Sequence, residues 1–166
     1  RIADEFTRMG KRASELRNIE IVVDSFAVNT DTADMATIIK IKPDYQHRIL
    51  IGAGKTRGHG VAKLNELGAE IAREDADKIL DALRATKNLY EVDGFLVISA
   101  TAGGTGSGAI PIITNVLKER FADKPVYALL VLPFEHEETA EEMAIYNTAV
   151  CLKSTYAIAD AIILVD

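Results

Sequence analysis

The sequence is poor in cysteine, has no excess of basic residues, contains no run of about 18 apolar residues, and opens on nothing resembling a signal peptide. A single cysteine, Cys151, excludes an internal disulfide framework and fits a reducing cytoplasm. It reads as a small buried apolar residue in a helix. The formal net charge of −6 argues against non-specific nucleic-acid binding and against docking on an anionic membrane, both of which need a basic surplus. Without a long apolar run, no membrane span is expected. What remains is 166 residues, 48% apolar and 27% charged, the balance of an ordinary globular domain large enough to bury a core. Arg1 already lies inside a helical pattern, and Asp166 follows an apolar run directly, so both ends are expected to be cuts through a larger protein.

Ile2, Phe6, Met9, Ala13 and Leu16 recur at helical spacing and predict a helix over residues 1–16. Residues 19–28 are rich in Val, Ile and Phe and read as a buried strand that stops at Asn29-Thr30-Asp31. Residues 38–41 and 48–51 read as short strands, and 52–60, with four glycines, as a loop. From Val61, the positions Leu64, Leu67, Ile71, Ile79, Leu80 and Leu83 mark one face of a long helix. Strands follow over 92–100, 126–132 and 161–165, and helices over 109–121 and 140–153. Pro111 would fall in the first turn of its helix, where its missing N–H matters least. Apolar strands alternating with amphipathic helices predict one α/β domain with a mostly parallel sheet, in which ligands sit at the carboxyl ends of the strands.

Gly103-Gly104-Thr105-Gly106-Ser107-Gly108 lies between a buried strand and a helix. Glycines permit positive φ and close approach of a ligand to backbone N–H groups. The helix that follows aims its free amides and positive dipole end at the turn, and Thr105 and Ser107 add hydroxyls. A di- or triphosphate is the ligand best matched to this. The P-loop pattern fails, because Gly52-Ala53-Gly54-Lys55-Thr56 would need a glycine where Ile49 stands. The dinucleotide fingerprint fails as well, since Gly104, Gly106 and Gly108 give GxGxG. His47, His59 and His136 have no metal-like spacing and read as surface or loop residues. Asp24, inside an apolar stretch, needs a buried partner that the sequence does not name.

The segment AGGTGSG resembles the GGGTGSG signature of tubulins and the GGGTGTG signature of FtsZ, with Ala102 in place of the first glycine. Ala27-Val28-Asn29-Thr30-Asp31 is similar to the second nucleotide loop of FtsZ, and Thr56-Arg57-Gly58 to its third. Ile145-Tyr146-Asn147-Thr148-Ala149 resembles the PYNAT segment of tubulin. Arg48-Ile49-Leu50-Ile51-Gly52, Gly58-His59-Gly60-Val61, Asn65-Glu66-Leu67-Gly68-Ala69-Glu70-Ile71-Ala72 and Glu74-Asp75 resemble the archaeal CetZ family most closely.

This resemblance implies a Rossmann-like three-layer α/β sandwich, the GTPase domain of the tubulin/FtsZ superfamily without its first strand and first nucleotide loop. Residues 1–166 would form the nucleotide-binding domain, with the activation domain outside them. It implies GTP or GDP as ligand with Mg²⁺, and a cytoplasmic, cytoskeletal protein whose copies join head to tail into filaments. Gly103, Gly104, Thr105, Gly106 and Ser107 would wrap the phosphates. Asn29 and Asp31 would lie near phosphates and Mg²⁺, and Gly58 in a loop near the γ-phosphate. Glu137 would contact the ribose, as in FtsZ, if positions are counted from Pro133; counting back from Tyr146 puts Ala144 where tubulin has its ribose-contacting Glu, so the chain departs from tubulin there. No catalytic residue is assigned, because the water-activating carboxylates of this superfamily come from the activation domain of the next subunit. The rival readings are an NAD(P)-binding oxidoreductase domain, which lacks its fingerprint here, and a non-polymerising partner-binding homologue.

Overall fold

A computed structural model describes residues 2–134 and 142–166, which divide into two compact units. The first unit spans Arg1–His59 and Asp77–Val92. It opens with α1, Ile2–Arg17, whose acidic first turn and terminal Arg17 suit the helix dipole. Asn18, at φ 53°, ends it. Two short parallel strands follow: β1, Ala27–Asn29, pairs with β2, Arg48–Leu50, in the register Ala27 to Arg48. Between and after them lie α2, Thr32–Ala36, and α3, Ala53–Thr56. Met35, Ile41, Ile49, Ile51, Ile79, Leu80 and Leu89 are its buried apolar residues.

Two expected strands are absent or shortened here. Only the end of 19–28 is extended; Val22 instead lies against the bare backbone of Gly10 on α1, and Ile19 and Ile21 are exposed. Residues 38–41 form no strand, because their amides have another acceptor: the Asp4 carboxylate takes the N–H of Ile39, Lys40 and Ile41. The partner of Asp24 also becomes visible. Its carboxylate meets His47 Nε2 at 3.1 Å and Lys42 Nζ at 3.4 Å. His47 is therefore no surface residue. It is buried, stacked on Phe26, with Nδ1 2.7 Å from Asp44, whose carboxyl this hydrogen bond holds below the usual range.

The second unit spans Gly60–Ala76 and Asp93–Asp166. The single long helix expected after Val61 is two: α4, Asn65–Glu74, in this unit, and α5, Ala76–Arg84, which from Asp77 onward belongs to the first unit, with Asp75 between them. Gly60, Ala62 and Lys63 have positive φ, which keeps the preceding residues out of the helix. Strands β3, Phe95–Ala100, β4, Val126–Val131, and β5, Ala161–Val165, form a wholly parallel sheet in that order. Helices α6, Gly104–Arg120, and α7, Glu142–Tyr156, complete the unit. Ile110 of α6, Cys151 of α7, and Ala128 and Leu130 of β4 form its apolar core. Cys151 is buried as expected, and burial pushes its thiol up to about 11.

Register between β4 and β5 is pinned by Asp160. Its carboxylate accepts from Lys118 Nζ at 2.6 Å and from the Val126 N–H at 2.7 Å, while its own N–H donates to the Val126 carbonyl. These partners hold the Asp160 carboxyl below its ordinary range, the Lys118 bond first. A carboxylate with a lowered folded pKa contributes stability above its unfolded pKa and loses it as pH falls through the folded value. Asp160→Ala is thus expected to lower the melting temperature by a few degrees at neutral pH and by less in acid, where the native carboxylate is itself protonated. Thermal unfolding across that pH range checks this.

Candidate functional site

The glycine-rich segment is not a loop ahead of a helix. It is the helix: α6 begins at Gly104, five residues before the expected start at Ala109, with Gly103 as its N-cap at φ −79° and ψ 164°. None of the glycines from 103 to 108 has positive φ, so conformational freedom is not what they supply. Pro111 accordingly lies in the helix interior rather than its first turn. Tertiary packing outweighs the poor helix propensity of glycine here.

The reason for the glycines is contact. A Cβ on Gly104 would stand 2.7 Å from Leu64 N and from Lys63 C, and one on Gly108 would stand 2.2 Å from the Asn65 carbonyl oxygen. From the other helix, a Cβ on Gly68 would meet the Gly104 carbonyl oxygen at 2.4 Å. The backbones of α4 and α6 therefore touch directly. Gly106 is equally confined, with the Ala100 carbonyl oxygen 2.7 Å from its Cβ position at the end of β3. Gly103 is the exception: a side chain there would meet nothing within 4 Å.

No side chain caps α6. The amides of a helix's first turn have no carbonyl four residues back, and they carry the positive end of the dipole. A 17-residue helix starting this way, soon after a parallel strand, has free amides and a dipole end of the kind that suit an anion. Ser107 does not offer its hydroxyl outward. Its Oγ is buried, donates to the Gly103 carbonyl and accepts from Asn65 Nδ2 at 2.8 Å. Its place in the site is structural, the tie that holds the first turn of α6 against the start of α4.

Asn65, Thr101 and Asn147 are buried polar residues around this turn that reading the sequence did not single out. Thr101 donates its backbone N–H to Val131 and shares a hydroxyl contact of 3.0 Å with Thr148. Asn147 donates from Nδ2 to the carbonyls of Lys63 at 2.9 Å and Ala102 at 3.0 Å. The signal for Asn147 was present: Ala144, Asn147, Cys151 and Thr155 are the buried stripe of α7, and a polar amide on an otherwise inward face needs partners.

In the first unit, the structure brings Asn29, Asp31 and Gly58 together. Asn29 ends β1, and its Oδ1 accepts the N–H of Thr30 at 2.8 Å and of Asp31 at 3.3 Å. Asp31 caps α2, with Oδ1 accepting from Ala33 and Asp34. It also forms an isolated bridge with His59, while the Gly58 carbonyl, in a residue of φ 80°, accepts the Thr32 N–H at 3.0 Å. The expected loop 52–60 contains α3, entered through Gly52 at φ 66° and left through Arg57 at φ 52°. Glu137 and His136 lie outside the described residues. Ala144, which stands where counting back from Tyr146 places tubulin's ribose-contacting Glu, is buried in α7. Among the described residues no group of three or more His, Cys, Asp or Glu side chains is placed to hold a metal, and no helix is long and apolar enough to cross a membrane.

Residues 4–166 match the family model described as Tubulin/FtsZ family, GTPase domain. The chain belongs to the tubulin/FtsZ family. It is 42% identical over 137 residues to the tubulin-like protein CetZ1 of Haloferax volcanii, covering 82% of this chain and 33% of that one. The solved GDP-bound monomer of CetZ1 superposes with a TM-score of 0.86 at 35% identity, covering 99% of this chain and 47% of that one. CetZ2 from the same organism, solved as a GTPγS-bound protofilament, gives 0.82 at 30% identity, covering 98% and 46%. The chain thus spans less than half the length of these relatives.

Membership in the tubulin/FtsZ family settles the fold expectation: helices with parallel sheets in a Rossmann-like α/β arrangement. It leaves the NAD(P) reading without support. The glycine contacts yield a direct test. Gly108→Ala forces a methyl into backbone 2.2 Å away and is expected to lower stability by about 2–3 kcal/mol or prevent folding. Gly103→Ala, with open space and an ordinary φ, is expected to be nearly neutral. Chemical denaturation of the two variants checks the contrast.

Proposed function

We propose that this chain is the guanine-nucleotide-binding part of a filament-forming GTPase, with the nucleotide's phosphates seated on the first turn of α6. The observation that carries this is the uncapped start of α6 beside the open flank of Gly103, in a chain of the tubulin/FtsZ family. Gly103, Gly104, Thr105, Gly106 and Ser107 contribute through their backbones, by N–H groups and dipole. Relatives solved with GDP and with GTPγS support guanine nucleotide as the ligand. Asn29, Asp31, Gly58 and Glu137 are proposed nucleotide residues on family resemblance. For the first three, a further support is their place at or beside the carboxyl end of a parallel strand. With no group of His, Cys, Asp or Glu side chains placed to hold a metal among the described residues, Mg²⁺ is expected to bind largely through phosphate oxygens and water, its usual habit.

The parent protein is proposed to be a cytoplasmic member of the archaeal CetZ group, on its likeness to CetZ1 and CetZ2. Head-to-tail self-assembly is supported by the CetZ2 protofilament. Nothing in the charge or composition suggests nucleic acid as a partner.

Gly103→Val in the full-length protein separates binding from folding, because the side chain enters open space. The melting temperature is expected to hold while GDP affinity falls by at least about ten-fold, the loss of one charge-assisted bond or more. Unchanged GDP affinity by titration calorimetry would remove α6 as the phosphate site. Hydrolysis also needs a group to position or activate water. Of the candidate carboxylates, Asp31 caps α2 and is proposed for the Mg²⁺ environment, and Glu137 is proposed for the ribose. The GTPase rate per molecule of the full-length protein is therefore expected to rise steeply with protein concentration. A rate that stays flat down to dilute protein would mean that the site is complete within one chain.

A further inference from the structure

Asn147 is fully buried, and both partners of its Nδ2 are backbone carbonyls beside the start of α6. One belongs to Lys63, which with Ala62 forms a consecutive pair of non-glycine residues at φ 62° and 48°. Such backbone is unfavourable and persists only when its surroundings hold it. The same stretch is what Gly104 packs against, with Lys63 C 2.7 Å from the Gly104 Cβ position. The other carbonyl belongs to Ala102, in the peptide whose N–H is that of Gly103. In a planar trans peptide, C=O and N–H point in opposite directions. A hydrogen bond that draws the Ala102 carbonyl toward α7 therefore turns the Gly103 N–H away from α7. Gly103 is the N-cap of α6 and the one glycine of the turn with an open flank. Thr148, next along α7, holds the preceding residue, Thr101, at 3.0 Å.

We propose that Asn147 is a positioning residue for phosphate binding: its amide fixes the direction of the Gly103 N–H and braces the Ala62-Lys63 turn beneath Gly104, without itself touching the ligand. This rests on the reading of the α6 start as the phosphate site. Replacing a residue that acts this way lowers affinity for every nucleotide with the same phosphates, whatever the base. Asn147 Oδ1, which has no hydrogen-bond partner among the described residues, sets up the competing outcome, since a carbonyl oxygen of this kind would accept from an exocyclic amine.

The test uses the full-length protein, GDP and inosine diphosphate (IDP), which lacks that amine. Asn147→Ala and the isosteric Asn147→Asp are each expected to weaken both nucleotides by the same factor, about ten-fold or more, leaving their affinity ratio at the value of the unaltered protein. The melting temperature without nucleotide identifies variants that fold. Equal, undiminished affinities in a folded variant would overturn the proposal, and so would a selective loss of GDP. In the unaltered protein, a second readout needs no folded variant: the Asn147 side-chain amide protons remain on their two carbonyls, so their NMR shifts are expected to be the same with GDP and IDP. A difference between the two complexes overturns the proposal independently. Failure of the phosphate reading itself is distinguishable, because the unaltered protein would then bind neither nucleotide or bind them with Gly103→Val unaffected.

Discussion

The backbones of α4 and α6 approach too closely for any side chain to stand between them, and the site depends on that contact. With Cβ positions 2.2–2.7 Å from backbone atoms at Gly68, Gly104 and Gly108, only hydrogen fits. The contact sets where α6 begins and brings Asn65 within reach of Ser107. The family signature is usually pictured as glycines freeing a loop for a ligand. In this chain Gly104 and Gly108 serve packing against α4 and the turn before it, Gly106 packs against the end of β3, and of these glycines Gly103 alone faces open space.

Buried polar groups complete what the packing begins. Thr101, Asn65, Ser107 and Asn147 would be costly to bury unpaired, by about 1–3 kcal/mol each, and the bonds they make tie the start of α6 and the end of β3 to α7, β4, α4 and the turn before α4. They restrict the first turn of α6 to one arrangement. A phosphate site built from backbone amides needs this, since amides have no rotamers with which to adjust and their direction is set by the peptides before them. Preorganisation thus accounts for why the turn is surrounded by internal polar ties.

Elements with strong apolar patterning were legible in the sequence: α1, β3, β4, β5 and the body of α6 stand close to where periodicity places them. The misreadings have physical causes. Residues 104–108 look like a loop because glycine is a poor helix former, and only contact with α4 reverses that preference. The stretch 19–28 has strand composition, but a strand also needs a partner along its length, and β1 pairs with β2 over three residues only. Residues 38–41 have their amides taken by Asp4, a side chain more than thirty positions away that no local pattern reveals. The partners of Asp24 and the burial of His47 are likewise long-range facts. Of the site, Gly103 to Ser107 could be found by motif, and Asn65 and Asn147 stand inside family-like segments, but the partners of these polar ties could not be read. The inward stripe of α7 signals that Asn147 needs partners, and only the fold shows that they are the carbonyls of Lys63 and Ala102.

The central claim is that anionic ligand binds on the first-turn amides of α6 and leaves the α4–α6 contact as it is. Backbone amide NMR of the full-length protein with and without GDP tests this most directly. The account predicts large shifts and new exchange protection at Gly103, Gly104 and Gly106, with the amides of Gly68 and Gly108 at the helix contact little changed. If GDP binds while the amides of residues 103–106 stay unperturbed, the phosphates lie elsewhere and the account is contradicted.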